Sequence, residues 1–339
     1  MNGADGRSRR PPTSDDVARR AGVSRATVSY VLNGVPESRI SQVTAARVRE
    51  AAGELGYVPH AMARSLRAGR TGLVLVPRMT SPPGPMLDSF QEALEGRLAE
   101  LGYTVVIHGD RRIGGMAGAR VWASLRPAGI VVETRRLTHR SVEVLRSAGV
   151  TAILGLGWSA SRLVPTLVND HAGVGRCAAE HLVATGRRRL AAVVPRDPQL
   201  LALGLERLAG FRTAAAAHGI DVERVDLAFD QVGAALVAGR WAAGTRPDGV
   251  FAYNDEYGML LLRAILDAGL DVPGDVAVVG ADDLPLCDLL RPRLTSVHME
   301  AVSSARSVAD TLHGLVQGGS RPLPSMRLLQ PRIVAREST

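Results

Sequence analysis

The sequence predicts an N-terminal all-α helix-turn-helix domain followed by a larger, two-lobed α/β domain. Two observations predict this division. Residues 13–58 contain short stretches of helical periodicity that end at glycines, whereas from Leu73 onward short apolar runs alternate with helical stretches. With 339 residues, of which 46% are hydrophobic and 22% are charged, the chain is long enough for two or three globular domains.

The first two helices begin and end at residues suited to those positions. Thr13 is a helix N-cap, and Asp16 three residues later completes a capping box. Gly22 ends this helix, and Ser24 caps a second helix that ends near residue 33. Two short helices joined by a glycine-containing turn form the helix-turn-helix pattern, in which the start of the second helix contacts base edges. A plain two-helix hairpin would show the same periodicity, so the pattern favours DNA binding without requiring it.

A third helix and a short basic segment follow. Ser41 caps a helix predicted over residues 42–55, and Gly56 ends it. The apolar stripe of this helix consists of Ala45, Val48, Ala52 and Leu55. Residues 60–70 are compatible with a helix, but a helix this short is unstable alone in water. Two interpretations stay open for this segment, an interdomain linker and a functional element.

The net charge of +8 lies mainly at one end of the chain. Residues 1–70 carry 12 arginines against 6 acidic residues, whereas the rest of the chain carries 29 arginines against 27. A basic segment ahead of a nearly neutral body indicates an anionic partner, although a solvated charged face would give the same composition. The first twelve residues are predicted to form a disordered tail because they lack any periodicity.

The composition favours a reducing compartment. Two cysteines, Cys177 and Cys287, are too few for a disulfide framework. The N-terminus has no apolar signal-peptide segment, and no apolar run reaches the roughly 20 residues that span a bilayer. We therefore expect a cytoplasmic protein that does not associate with a membrane.

No pattern in the sequence is typical of catalysis, a metal site or a cofactor. The chain contains no lysine, which excludes a Walker P-loop and Schiff-base chemistry. Residues 155–157 lack the third glycine of a dinucleotide site, and residues 157–161 lack the last glycine of a nucleophile elbow. The histidines show no metal-ligand spacing. We expect no enzymatic activity, no catalytic residue, no metal and no cofactor.

The remaining chain has the pattern of parallel α/β sheets. Strands buried on both faces are predicted at residues 73–76, 105–107, 129–132, 152–154, 190–194, 249–253 and 276–280. Helices are predicted between them at residues 86–101, 171–185, 205–218 and 256–268. About 270 residues exceed one usual open sheet, so we expect two lobes with a ligand crevice beyond the strand carboxyl ends. Alone, this part would also fit a periplasmic-type sugar-binding receptor without DNA function.

Seven motifs are distinctive: DVARRAGVSRATVSYVLNG, AAGELGYVPHAMARSLRAGRTG, AEHLVATGRRRLAAV, ERLAGFRTAAAAHGI, NDEYGMLLLRAILDAGLDVPGDVAVVGADD, LTSVHME and LLQPRIVAREST. Together they resemble the LacI/GalR family of transcriptional regulators. The resemblance implies a tail at 1–12, a helix-turn-helix domain at 13–58, a hinge helix at 59–70 and a periplasmic-binding-protein-like effector domain at 71–339. It places the two lobes at approximately 71–168 plus 298–328 and 169–297 plus 329–339.

The same resemblance implies a function. It predicts a sequence-specific DNA-binding regulator, with repression as the default, that binds a palindromic operator in double-stranded DNA as a homodimer. It also predicts allosteric control by a small-molecule effector, a sugar or a sugar derivative. The helix-turn-helix pattern and the missing signal peptide count against the receptor alternative.

The family's DNA contacts carry over to matching positions of this chain. Arg25, Ala26 and Tyr30 stand at the main base-reading positions, although Tyr30 replaces a common arginine. Leu66 stands where the family inserts a leucine into the minor groove, whereas His60 replaces the usual asparagine. The remaining predicted DNA-binding residues, among which Thr27 and Ser29 are expected at phosphates, are Thr13, Ser24, Thr27, Ser29, Asn33, Met62 and Arg64.

Three matched positions are candidates for effector binding. They are Arg207, Asn254 and Asp282, whose alternative roles are a surface helix residue, a helix N-cap and a turn former. Asp170 is a further candidate, or the cap of the helix that follows it. The loop after the first strand departs from the family pattern and carries an arginine, Arg78, which would suit an anionic effector if it faced the cleft. Trp158 is either a stacking residue for the effector or a structural tryptophan.

Overall fold

The computed structural model describes residues 10–32, 40–58, 71–80, 84–319, 326–327 and 331–339. The chain divides into two compact units, Met1–Gly72 and Leu73–Thr339. The predicted fold class, a helix-turn-helix region followed by a two-sheet α/β region, is confirmed. None of the helices in the described part of the chain is long and apolar enough to cross a membrane.

The first unit contains three helices, α1 (Ser14–Ala21), α2 (Arg25–Leu32) and α3 (Gln42–Leu55). Thr13 and Asp16 form the predicted reciprocal capping box of α1, and Gly22 ends the helix in the left-handed conformation. The Ser41 side chain caps α3, which ends at Gly56. The small core of the unit consists of Val17, Ala18, Ala21, Val28, Val48, Ala51 and Ala52. A core of this size is enough to orient three short helices.

The second unit alternates strands and helices. Its strands are β1 (Leu73–Pro77), β2 (Thr104–His108), β3 (Gly129–Glu133), β4 (Ala152–Gly157), β5 (Thr166–Val168), β6 (Leu190–Pro195), β7 (Val222–Leu227), β8 (Gly249–Phe251), β9 (Ala277–Ala281), β10 (Thr295–His298), β11 (Met326–Arg327) and β12 (Arg332–Val334). Its helices are α4 (Pro85–Glu100), α5 (Gly115–Ser124), α6 (His139–Ser147), α7 (His171–Ala184), α8 (Pro198–Ala216), α9 (Gln231–Ala243), α10 (Asp255–Asp267) and α11 (Ala301–Val316).

The strands form two six-stranded sheets, one in each lobe. The first sheet has the order β11-β5-β4-β3-β1-β2, and the second has the order β12-β10-β9-β8-β6-β7. All neighbouring strands are parallel except β12, which runs antiparallel to β10. The chain enters the second lobe after β5, returns after β10 so that α11 packs on α4, and crosses again between β11 and β12.

The buried apolar runs predicted the central strands. Where the predicted and observed boundaries of an element differ, the difference has a local cause. The strand predicted over 249–253 ends at Phe251 because Tyr253 has a left-handed backbone, with φ of 70°. The helix predicted from residue 205 begins at Pro198, where Asp197 is the N-cap and proline occupies the first turn. The sequence did not single out β5, β7, β10, β11 or β12, because these strands are short or, like β7, partly exposed.

Two glycines allow α7 and α8 to pack closely in the second lobe. A Cβ atom built on Gly175 of α7 would lie 1.8 Å from the carbonyl oxygen of Arg207 on α8. A Cβ on Gly210 of α8 would lie 1.8 Å from the carbonyl oxygen of Ala172 on α7. Any side chain at either position would therefore force the two helices apart.

Candidate functional site

The first residues of α2 form an exposed polar face on the three-helix unit. Ser24 Oγ accepts a hydrogen bond from the Thr27 backbone N–H at 3.0 Å and caps the helix. Val28 is buried in the core at 1% exposure, so its neighbours on the opposite side of α2 face solvent. The Arg25 side chain is 59% exposed and lies 3.7 Å from the Asp15 carboxylate. Tyr30 is 49% exposed.

The structure brings the predicted base-reading residues Arg25, Ala26 and Tyr30 to solvent on the same short helix. Thr13 lies at the start of α1, where its hydroxyl donates to the Asp16 carboxylate at 2.7 Å. This hydrogen bond holds the pKa of Asp16 at about 2. Thr27 and Ser29 are half-buried on α2, whereas the remaining predicted DNA-binding residues, Asn33, Met62, Arg64 and Leu66, lie outside the described residues.

A cavity of about 610 Å³ lies between the two lobes of the α/β unit. Its wall is formed at the carboxyl ends of parallel strands, where Glu133 ends β3, Trp158 follows β4, and Tyr253 and Asp282 follow β8 and β9. This is the edge at which open α/β sheets bind ligands. The volume is typical of small-molecule sites.

Arg207 is the central cation of the cavity. It reaches the wall from α8 and is only 2% exposed. Its Nη1 donates to the Tyr253 carbonyl oxygen at 2.5 Å, and its Nη2 donates to Asp282 Oδ1 at 3.3 Å. The guanidinium carbon lies 4.8 Å from the centroid of the Tyr253 ring, within cation–π distance. Within the described part of the chain, Arg207 Nε has no hydrogen-bond partner.

Asp282 faces Arg207 from a strained turn. Its φ is 105° and that of Asp283 is 54°, and left-handed residues other than glycine cost about 1–3 kcal/mol each. Burial raises the pKa of Asp282 above its usual value, although Arg207 opposes this effect. Strain of this kind persists only where the surrounding contacts hold the backbone.

Asn254 lines the cavity and caps a helix at the same time. Its Oδ1 accepts from the Tyr257 backbone N–H at 3.0 Å, which makes it the N-cap of α10. Its Nδ2 donates to Glu256 Oε2 at 3.3 Å. Asn254 and Glu256 both belong to the cavity wall.

Four side chains that contact one another in sequence form another part of the wall. Arg135 Nη2 donates to Glu133 Oε1 at 2.9 Å, and the Arg135 guanidinium lies 5.4 Å from the centre of the Trp158 ring. Trp158 meets His171 edge to face at 6.1 Å. Burial and the nearby Arg207 lower the pKa of His171 to about 3, so the imidazole is neutral at physiological pH.

Two predicted effector residues, Arg78 and Asp170, are not part of the cavity wall. The Arg78 side chain is exposed, and its carbonyl oxygen accepts from Arg136 Nη1 at 2.7 Å. Asp170 is the N-cap of α7, with Oδ1 accepting from the Gly173 N–H at 2.8 Å, and it also pairs with Arg176. The arginines that do line the cavity are Arg135, Arg162 and Arg207.

Sequence reasoning did not select several polar residues of the wall. They are Glu133, Arg135, Arg162, Asn169, His171, Tyr253 and Glu256. Position near a strand's carboxyl end was the available signal for some of them, because Glu133 ends β3, Asn169 follows β5, and Arg135 and Tyr253 each lie two residues beyond a strand. The strand ahead of Asn169, β5, was itself not predicted. Among the described residues, no group of three or more His, Cys, Asp or Glu side chains is arranged to hold a metal ion.

Comparisons with known proteins match both units. The family model for "Bacterial regulatory proteins, lacI family" matches residues 13–60, and that for "Periplasmic binding protein-like domain" matches residues 179–339. The transcriptional regulator CelR of Thermobifida fusca is 32% identical over 97% of this chain and 99% of that protein.

Two solved structures are similar over 97% of the chain. One is the Lac repressor dimer bound to operator and the anti-inducer ONPF, with a TM-score of 0.80, 25% identity and 99% of that chain covered. The other is a CelR–cellobiose complex, with a TM-score of 0.62, 28% identity and all of that chain covered. These comparisons favour a transcriptional regulator over a sugar-binding receptor without DNA function.

Proposed function

The chain belongs to the LacI family of transcriptional regulators, and from this premise we propose that it is a repressor whose operator affinity is set by a neutral sugar. The observation that carries the proposal is the presence, in one chain, of an exposed recognition-type helix and a polar cavity at the strand ends of a two-lobed α/β unit. As a member of this family it is a DNA-binding regulator and not an enzyme.

DNA recognition is assigned to the first turn of α2. The Arg25 guanidinium can donate two hydrogen bonds to guanine in the major groove, and Ala26 offers an apolar contact to a thymine methyl group. The hinge residues Met62, Arg64 and Leu66 are assigned to the operator centre, where an apolar wedge bends the duplex. Binding to operator DNA also implies a cytoplasmic location.

A homodimer on a palindromic site supplies two such helices. Large apolar side chains exposed on the second lobe support a self-association surface. Val232 is 72% exposed and Leu236 is 71% exposed, one helical turn apart on α9, while Phe229 just ahead of the helix is 59% exposed. Leu289, in the short helix after β9, is 74% exposed. Phe229, Val232 and Leu236 lie close together in the chain, and clustered exposed apolar groups are typical of protein–protein interfaces.

The cavity fits an uncharged polyol. The buried Arg207 is paired with Asp282 and the exposed Arg135 with Glu133, so these four charges of the wall cancel in pairs. The same groups still offer donors and acceptors to hydroxyls, while Trp158 and Tyr253 offer ring faces to the apolar side of a sugar. A phosphorylated sugar would need a wall with a net positive charge, whereas the three arginines of this wall are matched by three carboxylates, those of Glu133, Glu256 and Asp282.

Control of DNA binding follows from linkage. The cavity is made by both lobes, so an occupant that contacts both favours one arrangement of the lobes over others. Operator affinity then changes by the same factor by which operator changes effector affinity. Without this reciprocity, sugar binding and DNA binding would be independent activities of one chain.

The test is selection of binding sites from random duplexes by the full-length protein. It is run with and without cellobiose, the sugar in the solved complex of the similar regulator CelR, and with a phosphorylated sugar. We expect enrichment of a palindromic sequence and a cellobiose-dependent change in its affinity, with no effect of the phosphorylated sugar. A monomer that binds random and palindromic duplexes equally at low salt would overturn the proposal.

Two arginine variants locate the DNA-reading face. Arg25→Ala should weaken operator binding by ~1–3 kcal/mol and relax selectivity at one base pair. The matched control, Arg49→Ala on the exposed side of α3, should leave base selectivity unchanged. Equal loss of selectivity in both variants would remove Arg25 from the base-reading role.

A further inference from the structure

One buried carboxylate joins the two elements that bring Asn254 and Asp282 to the cavity. Asp255 is the first residue of α10, directly after Asn254, and it has no exposed surface. Its Oδ2 accepts a hydrogen bond from the Leu284 backbone N–H at 2.8 Å. Its Oδ1 accepts from the Ser296 hydroxyl on β10 at 2.6 Å. Asp255 therefore ties the start of α10 to the turn after β9.

The turn that it holds is the strained one. The left-handed residues Asp282 and Asp283 are followed at once by Leu284, so the Asp255 bond fixes the exit of the turn. Ser296 Oγ accepts from the Asp283 N–H at 3.0 Å while it donates to Asp255. The Asp282 N–H donates to the Val297 carbonyl oxygen at 2.9 Å. The backbone N–H groups of Asp282, Asp283 and Leu284 thus all donate hydrogen bonds, and the last two donate to Ser296 and Asp255.

Strand β9 is shaped to admit the carboxylate. A Cβ atom at Gly280 would lie 2.1 Å from Asp255 Oδ1, so any other residue there would displace the Asp255 side chain. Burial raises the pKa of Asp255 to about 7. Asparagine at this position can still accept from the Leu284 N–H, and its amide can donate to Ser296 Oγ, which reverses the direction of that second hydrogen bond.

We propose that Asp255 and Ser296 are positioning residues for effector recognition. They hold the left-handed Asp282–Asp283 turn and so keep the Asp282 carboxylate beside Arg207 and Asn254 in the cavity. The inference rests on the proposed function, which assigns the effector to this cavity. It adds two residues outside the cavity wall to those that set effector affinity.

The test compares cellobiose affinity by calorimetry in variants of the full-length protein. Asp255→Ala should weaken binding by about tenfold or more, and Ser296→Ala by a smaller factor, because each releases part of the turn. Asp255→Asn should stay within about threefold of the wild type, since it keeps the hydrogen bond from Leu284 and can contact Ser296 through a hydrogen bond of reversed direction. In a double-mutant cycle, Asp255→Ala should have little further effect once Asp282→Ala is present.

The matched control is Asp230→Ala, which removes the N-cap of α9 in the same lobe without touching the turn. It should leave cellobiose affinity unchanged. Equal affinities for Asp255→Ala and Asp255→Asn, or full additivity with Asp282→Ala, would overturn the inference.

Crystal structures of the two Asp255 variants separate this inference from the proposed function. In Asp255→Ala, Asp282 and Asp283 should relax to negative φ and the Arg207–Asp282 contact should be lost, whereas Asp255→Asn should keep both. An unchanged turn in Asp255→Ala would overturn the positioning role whatever the protein binds. Failure of the wild type to bind any sugar would instead overturn the proposed effector class.

Discussion

The α2 face and the cavity place their polar side chains by different means. On α2, the exposed residues follow one another in the chain, and the caps that start the helices act across three residues, as Thr13 does for Asp16. In the cavity, Arg207 and Asp282 are 75 residues apart and meet only because β9 and α8 belong to one packed lobe. The first site depends on local chemistry, whereas the second depends on tertiary packing.

The largest expected effect comes from removing the central cation of the cavity. Arg207→Ala would leave the buried Asp282 carboxylate without its partner, and breaking a buried pair costs about 3–5 kcal/mol. All three tryptophans lie in the α/β unit, so urea unfolding followed by tryptophan fluorescence measures this loss. Binding of the sugar that the proposed function assigns to this cavity, tested with cellobiose, should be abolished.

The control for this change lies on the same helix. Arg212 is exposed on α8, and Arg212→Ala should leave both the unfolding midpoint and cellobiose affinity nearly unchanged. Similar losses in the two variants would mean that the Arg207–Asp282 contact is not what organises the cavity.

A smaller effect should follow from a change that never touches the cavity. Gly175→Ala places a methyl group against the Arg207 carbonyl oxygen, so α7 and α8 must separate, and overpacking of this kind costs about 1–3 kcal/mol. We expect weaker cellobiose binding as Arg207 moves, with the unfolding midpoint as the second readout.

Gly239→Ala is the matched control for Gly175→Ala, because it also replaces a helical glycine but should have the opposite effect on stability. No atom lies within 4 Å of a Cβ at Gly239 in α9, so this change should stabilise the unit by about 0.5–1 kcal/mol. A stabilised Gly175→Ala variant with normal cellobiose affinity would contradict the dependence of the cavity on helix packing.

The smallest effect should come from the local site. Thr13→Ala removes the capping box of α1 and should cost about 1 kcal/mol, with faster hydrogen exchange in α1 and unchanged cellobiose affinity. Thr138→Ala removes the equivalent box of α6 in the α/β unit and should leave exchange in α1 unchanged. Slower unfolding in either variant would contradict the stabilising role of these caps. A change of exchange in α1 on Thr138→Ala, or of cellobiose affinity on Thr13→Ala, would contradict the claim that each cap acts only locally.

The sequence was informative wherever one residue acts on its near neighbours. Ser41 and Gly56 marked the ends of α3, and the apolar run at 190–194 marked β6, because caps and buried strands leave short-range patterns. It was less informative for short strands such as β5 and for Arg78, whose side chain direction no local pattern determines.

The sequence by itself determined the two kinds of architecture, the helix boundaries of the first unit and the longer buried strands of the second. Only the tertiary structure decided which polar residues share a cavity. It brought His171, Glu133 and Arg135 to the wall, excluded Asp170, and showed Asp255 holding the Asp282 turn. The physical reason is range, since caps and apolar periodicity act over a few residues, whereas a binding site is made by segments that the packing of sheets and helices brings together.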